Sequence, residues 1–267
     1  MHRAVHQLLD HPRVFEDPLA IAILGEKAGH LKSQLHAFDT AGARQLRAFV
    51  AARGRRAEDE LNAAIARGAT QYVVLGAELD TYAYRSTPSR LRVFEVDYPA
   101  TQVWKRTRLA AERIAIPPCL TFVPTNFEEQ SLGSALESSG FEPDKISFFS
   151  WLGVTPYLTA PAAIATLAFI GSLPSGSGVV FDYAVERSSL NSEEQTAMDA
   201  LASRVARAGE PFRLFLDSRA LRRLLSTTGF DQIEDLGRAE LNARYFANRA
   251  DGLEVGAGLA HLVVART

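Results

Sequence analysis

Cysteine is nearly absent from this chain: Cys119 is the single one in 267 residues. That excludes an internal disulfide framework and fits a reducing compartment. No apolar run is long enough to span a bilayer, and no signal peptide is evident. A soluble cytoplasmic protein with no membrane partner is the expectation. Charge of one sign is not in excess either, with 29 Lys and Arg against 31 Asp and Glu. That balance leaves no electrostatic footprint for a nucleic acid. His2, His6 and His11 cluster at the start, but His-x3-His alone does not make a metal site. No Ser-His-Asp arrangement can be assembled, and Asp10-His11-Pro12 reads as a turn. Repeats, low-complexity tracts and linkers are missing as well. One domain over residues 1–267 is expected, and 47% hydrophobic residues suffice for its core.

What is present is an alternation. Residues 1–68 carry a helical pattern. Phe15-Glu-Asp-Pro-Leu19 sets an acid before a proline, a usual helix start. Leu46, Phe49, Val50, Ala57, Leu61, Ala64 and Ile65 then recur at helical spacing, with Gly68 as a stop. From residue 69, short apolar runs rich in β-branched and aromatic residues predict strands at 72–75, 92–96, 120–123, 146–151 and 178–181. Helical stretches at 99–114, 130–138 and 159–170 separate them, which implies βαβ crossovers and a parallel sheet. A polar helix at 192–208, a helix after Asp217 and runs at 230–235 and 259–265 follow. The last two runs are read as the final strands of the same sheet. The helices of 1–68 are expected to cap its carboxyl edge, where open α/β sheets bind ligands.

The first strand leads into the turn Gly76-Ala77-Glu78, then a predicted helix, then a second strand ending at Asp97. Asp97 lies 21 positions after Gly76 (97 − 76). Ribose-binding acids in doubly wound folds sit about 20 residues past the glycine turn. Glu95 shares the face of Asp97 and is the alternative, and Asp97 could instead pair with Lys105 or Arg106. A nicotinamide site would need a third glycine, where Tyr82 and Ala83 stand.

Val73-Val-Leu-Gly-Ala-Glu-Leu-Asp-Thr81 resembles the first motif of the leucine carboxyl methyltransferase-like family. So, in order, do Phe94-Glu-Val-Asp-Tyr-Pro99 with Lys105-Arg106, and Phe122-Val-Pro-Thr-Asn-Phe-Glu128. Ser150-Trp-Leu-Gly-Val-Thr-Pro-Tyr-Leu158 and Val179-Val-Phe-Asp-Tyr183 complete the set, and the bacterial branch is the most similar. The resemblance implies a class I methyltransferase fold: α/β, Rossmann-like, a mostly parallel seven-stranded sheet with an N-terminal helical cap. It implies S-adenosyl-L-methionine as cofactor and a small-molecule acceptor methylated on a carboxylate or hydroxyl oxygen. Gly76 and Asp97 take the turn and ribose roles, and Asn126 with Phe127 the adenine role, with asparagine where the family usually has aspartate. Arg55 matches best the arginine that holds the cofactor's carboxylate, and Arg53 is second. A solvated helix face with ion pairs to Glu58 and Asp59 is the other reading of both. Glu78 replaces a usual second glycine, and Leu152 stands where other branches carry a glutamate, so no catalytic residue is carried over. Tyr157, Arg244 and Arg249 are candidates for the acceptor side. Relatives usually have a further segment before the equivalent of Ala4, so either the cover over the cofactor is incomplete or the native chain starts upstream. A homologue that has lost cofactor binding through Glu78 and Asn126, and a non-enzymatic interaction protein, remain open alternatives. Oligomeric state is left open.

Overall fold

The computed structural model describes residues 1–85, 88 and 90–267. Among the described residues, seven strands form one sheet: β1 Gln71–Leu75, β2 Arg92–Asp97, β3 Leu120–Pro124, β4 Ser147–Trp151, β5 Gly178–Ala184, β6 Gln232–Leu236 and β7 Ala260–Arg266. Their order is β3-β2-β1-β4-β5-β7-β6. The first five pair in parallel, and β7 runs antiparallel to both β5 and β6. The α/β fold with a mostly parallel seven-stranded sheet is therefore as expected.

Strand side chains alternate between two cores, as a period of two requires. Val73, Leu75, Phe94, Val96, Phe149 and Trp151 face one core. Helices α5 (Leu132–Ser138), α6 (Ala160–Gly171), α7 (Ser192–Arg207) and α8 (Ser218–Thr227) contribute Leu136, Leu167, Met198 and Leu225 to it. Tyr72, Val74, Val93, Phe148, Val180 and Leu262 face the other. Long helix α3 (Ala41–Ala66) covers that side with Ala48, Ala52, Ala57 and Leu61, and α9 (Arg238–Tyr245) adds Leu241. Small residues on α3 let its backbone lie close to the strands.

The helices of 1–68 lie at the carboxyl edge as expected: α1 (His2–Leu9) places Arg3 3.0 Å from Asp80 beyond β1, and the first half of α3 reaches that edge while the rest lies on a face of the sheet. A small third core of Ala4, Val5, Ala20, Leu24 and Leu31 holds α1 against α2 (Glu26–Ser33), with Leu79 packed on it. Two finer expectations are corrected. Asp17 starts no α-helix: its Oδ1 accepts from Leu19 N–H and its Oδ2 lies 2.8 Å from Arg3, ending in a turn before a short 3-10 segment, Ala22–Leu24. After the Gly76 turn the predicted helix is, among the described residues, a single 3-10 turn, Tyr82–Tyr84. Asp80 explains it, because its carboxylate accepts from Tyr82 N–H at 2.8 Å and competes with helix bonding.

Candidate active site

β1 ends on Gly76 with φ at +66°, a left-handed conformation that favours glycine. A Cβ there would stand 2.3 Å from Cγ2 of Val154, so space as well as dihedral excludes a side chain. The amides of Gly76 and Ala77 both donate to Val96 O, which ties the turn to β2. Glu78 follows at φ +29°, a glycine-like backbone carried by a residue with a Cβ. Its amide donates to Asp97 Oδ2 at 2.6 Å, and Tyr98 N–H donates to Asp97 Oδ1 at 2.7 Å. Burial raises the Asp97 pKa, and these two amides oppose the shift. A carboxylate has about four lone-pair sites. With two taken, Asp97 keeps acceptor capacity toward the edge of the sheet.

Glu78→Gly should therefore relieve strain of about 1 kcal/mol. The variant is expected to melt a few degrees higher and to bind S-adenosylhomocysteine more tightly. Equal or weaker calorimetric affinity would overturn this expectation, and a weaker one would show that the Glu78 side chain helps the site.

Glu95 is no substitute for Asp97. It is 1% exposed, and its Oε2 lies 2.7 Å from Nζ of Lys105 and accepts from Tyr84 O–H at 3.2 Å. Lys105, on α4 (Pro99–Ala111), is likewise buried and donates to Asp80 O at 2.8 Å. Neither it nor Arg106, whose guanidinium lies over Phe122, pairs with Asp97.

A cavity of about 220 Å3 opens beside the turn. Residues 76–80 form one wall, α3 another through Arg53 and Glu58, and Met1, His2 and Arg3 a third. Ser150 and Leu152, at the end of β4, line it as well. Arg53 donates to Asp182 Oδ2 at 2.8 Å, and Gly153 N–H donates to Asp182 Oδ1 at 2.6 Å. Asp182, on β5, thus anchors the arginine at the cleft. Arg55 points elsewhere: its side chain is 51% exposed and bonded to Asp59 at 2.7 Å. Glu58 pairs closely with Arg85, and burial still pushes its pKa up. Burial would raise Asp80 too, but Arg3 and Lys105 outweigh it and its pKa falls.

Asn126 and Phe127 follow β3 next to the tip of β2. The Asn126 Oδ1 accepts from Glu128 N–H at 3.1 Å in a local turn, and α5 is capped by Ser131. Phe127 packs its ring partly on the first core. Tyr157 is half-buried against Phe212, with burial raising its pKa and Arg53, Asp182 and Glu78 in its electrostatic surroundings. Two acceptor-side candidates lie away from the cleft. Arg244 is exposed near Glu234, and Arg249 is consumed by Asp251 and by Pro12 O.

His2 was not among the residues singled out for the site, and a lone histidine gives no sequence signal. It lines the cleft, and its ring meets Phe38 edge-on at 5.6 Å. Its Nδ1 is buried without a hydrogen bond to any described residue. Burial, then the terminal amine, Arg47, Arg53 and Arg204, depress its pKa to about 4. The imidazole is therefore neutral at physiological pH.

Residues 1–171 match the leucine carboxyl methyltransferase family. A Bacillus subtilis protein described as "Putative S-adenosyl-L-methionine-dependent methyltransferase YktD" is 32% identical over 275 residues, covering 94% of this chain and 90% of that one. A Frankia alni protein of the same description, FRAAL3836, is 33% identical over 188 residues, 64% of this chain and 61% of its own length. Among solved structures, a duf574 family protein from Streptomyces avermitilis superposes with TM-score 0.60 at 16% identity, covering 95% of this chain and 98% of that one. One from Thermobifida fusca, titled a putative methyltransferase, gives TM-score 0.60 at 15% identity over 96% of both chains. These two share the fold.

Proposed function

We propose an oxygen acceptor for this chain, which belongs to the leucine carboxyl methyltransferase family and is an S-adenosylmethionine-dependent methyltransferase. The reading is transfer of the cofactor's methyl group to a carboxylate or hydroxyl of a small molecule, carried out by a single domain. The cofactor supplies an already activated methyl, so the protein's task is alignment and exclusion of water.

The residues present fit that cofactor. Gly76 lines the cleft with its backbone and leaves room for Val154 behind the turn, and Asp97 keeps free acceptor sites for the two ribose hydroxyls. Arg53 uses one N–H on Asp182 and has others for the amino-acid carboxylate. In this role Arg53 replaces Arg55, which faces away. Asn126 and Phe127 stand beside the tip of β2, where the adenine would follow the ribose. Of the acceptor candidates, Tyr157 has Arg53, Asp182 and Glu78 in its electrostatic surroundings.

The observation that carries the reading is the adjacency of two cavities. The polar cleft at the Gly76 turn and a larger, mostly apolar one both border His2. A small acceptor can sit in the second and reach into the first. The test starts with calorimetry of the protein against S-adenosylhomocysteine, with NAD as control. At 100 times its dissociation constant a bound ligand adds about 2.7 kcal/mol of stability, which a melting curve reads directly. A screen of small acids and phenols with labelled S-adenosylmethionine follows. Methyl released as methanol by mild base marks an ester, and base-stable methyl on oxygen marks an ether. Products methylated only on nitrogen or carbon would overturn the reading.

A further inference from the structure

The larger cavity, about 760 Å3, lies between the start of α3, α7 and the approach to β7. That is the usual size of a small-molecule site. Phe38, Leu46, Phe49, Leu201, Val255 and Leu259 give it apolar walls. Ala197 and Ala200 keep the α7 side low, so the space is not filled from that helix.

Two charges break the apolar lining. Arg204 and Arg207, in the last turn of α7, both border the cavity. Neither side chain forms an ion pair or hydrogen bond with a described residue. Cations at a helix C-terminus are favourable in their own right. Their placement at the rim of an apolar chamber adds a second role, because an uncompensated pair of guanidiniums there matches a carboxylate. His2 lines the chamber too, and borders the polar cleft as well. Its neutral ring can accept a hydrogen bond from a hydroxyl.

Resting on the oxygen-acceptor reading above, we propose that this chamber is the acceptor site and takes a small apolar hydroxy acid. Arg204 and Arg207 hold its carboxylate, and its hydroxyl, the group that is methylated, meets His2. The oxygen–methyl bond forms as the sulfur–methyl bond breaks with its electron pair left on sulfur, and the hydroxyl proton passes to the His2 imidazole. The positive charge of the sulfonium is thereby replaced by that of the imidazolium. No net charge is created in the site, and loss of the sulfonium makes the imidazole more basic at the moment it is needed.

The experiment is calorimetric titration of the full chain, saturated with S-adenosylhomocysteine, with 4-hydroxyphenylalkanoates of one to four methylenes. The corresponding amides and the unhydroxylated acids are titrated in parallel. At least one hydroxy acid is expected to bind, with its amide about tenfold weaker, the size of a charge-assisted contact. Arg204→Gln with Arg207→Gln should reduce the acid to the level of the amide. His2→Phe should remove the preference for the hydroxylated over the unhydroxylated acid, a difference that a merely structural role would not touch. Leu201→Trp should fill the chamber and abolish binding of the acids while S-adenosylhomocysteine still binds. The proposal is overturned if no acid of the series binds, if acid and amide bind alike, or if binding survives Leu201→Trp. Failure of the wild-type protein to bind S-adenosylhomocysteine is a separate result. It would instead strike the reading on which the proposal rests.

Discussion

Alanine at position 97 is expected to lower the affinity for S-adenosylhomocysteine by about 100-fold or more. A carboxylate that accepts from two ribose hydroxyls makes two hydrogen bonds with a charged partner, each worth about 1.5–3 kcal/mol. Losing about 3 kcal/mol is already more than two orders of magnitude in a dissociation constant. The substitution also removes the acceptor of Glu78 N–H and Tyr98 N–H, so the turn that frames the cleft loses its tie to β2. Asp97→Asn separates the two effects. An asparagine retains one oxygen acceptor but no charge, and should lose less affinity than alanine. Calorimetry on both variants, with melting curves to confirm folding, reads the ordering. An alanine variant that binds within a few-fold of the wild type would move the ribose contact away from β2 altogether. Glu95 could not take it over, because its carboxylate is buried against Lys105.

The glycine turn and Asp97 were legible in the sequence because backbone geometry constrains both. A parallel strand buried on both faces must be apolar, the turn that leaves it needs a residue without a side chain, and the next strand returns an acid to the same edge. The choice between Arg53 and Arg55 was not legible. Two residues apart on a helix means roughly 200° of rotation, so one of the pair must face away from whatever the other faces. α3 is alanine-rich on several sides, and its phase is fixed by packing on residues such as Phe148 and Val180, from strands far along the chain. Asp182, which holds Arg53 at the cleft, lies 129 positions away. Arg249 failed as an acceptor candidate for a similar reason, since Asp251 and Pro12 O claim it through contacts that spacing does not reveal. His2 was invisible because its significance comes from two cavities meeting at one ring.

Lys105→Met is expected to destabilise the protein in a pH-dependent way. In the folded chain Glu95 has its pKa raised to about 7 by burial, with Lys105 pulling the other way. A carboxyl whose folded pKa is above its unfolded value holds its proton more tightly in the native state. Its contribution to stability therefore falls as pH rises from the unfolded value, near 4.5, to about 7. Removing the Lys105 charge takes away the opposing pull, so the folded pKa climbs and the decline continues beyond pH 7. The cost of the substitution should grow by up to about 1.4 kcal/mol per pH unit in that range. Its ceiling is the 3–5 kcal/mol or so typical of a buried ion pair with one partner removed. Urea unfolding at pH 8.5 should show about 3 kcal/mol of destabilisation, and at pH 5.5, where Glu95 is protonated, roughly 1 kcal/mol. Equal losses at the two pH values would mean that the ammonium acts through its bond to Asp80 O and its place over the Tyr84 ring rather than through the carboxylate. The double variant Lys105→Met with Glu95→Leu distinguishes further, because an apolar pair of similar volume is often as stable as the ions it replaces. Recovery of stability in that double variant, with S-adenosylhomocysteine affinity still reduced, would assign the pair a role in holding the Asp80 end of the turn in place for the cofactor.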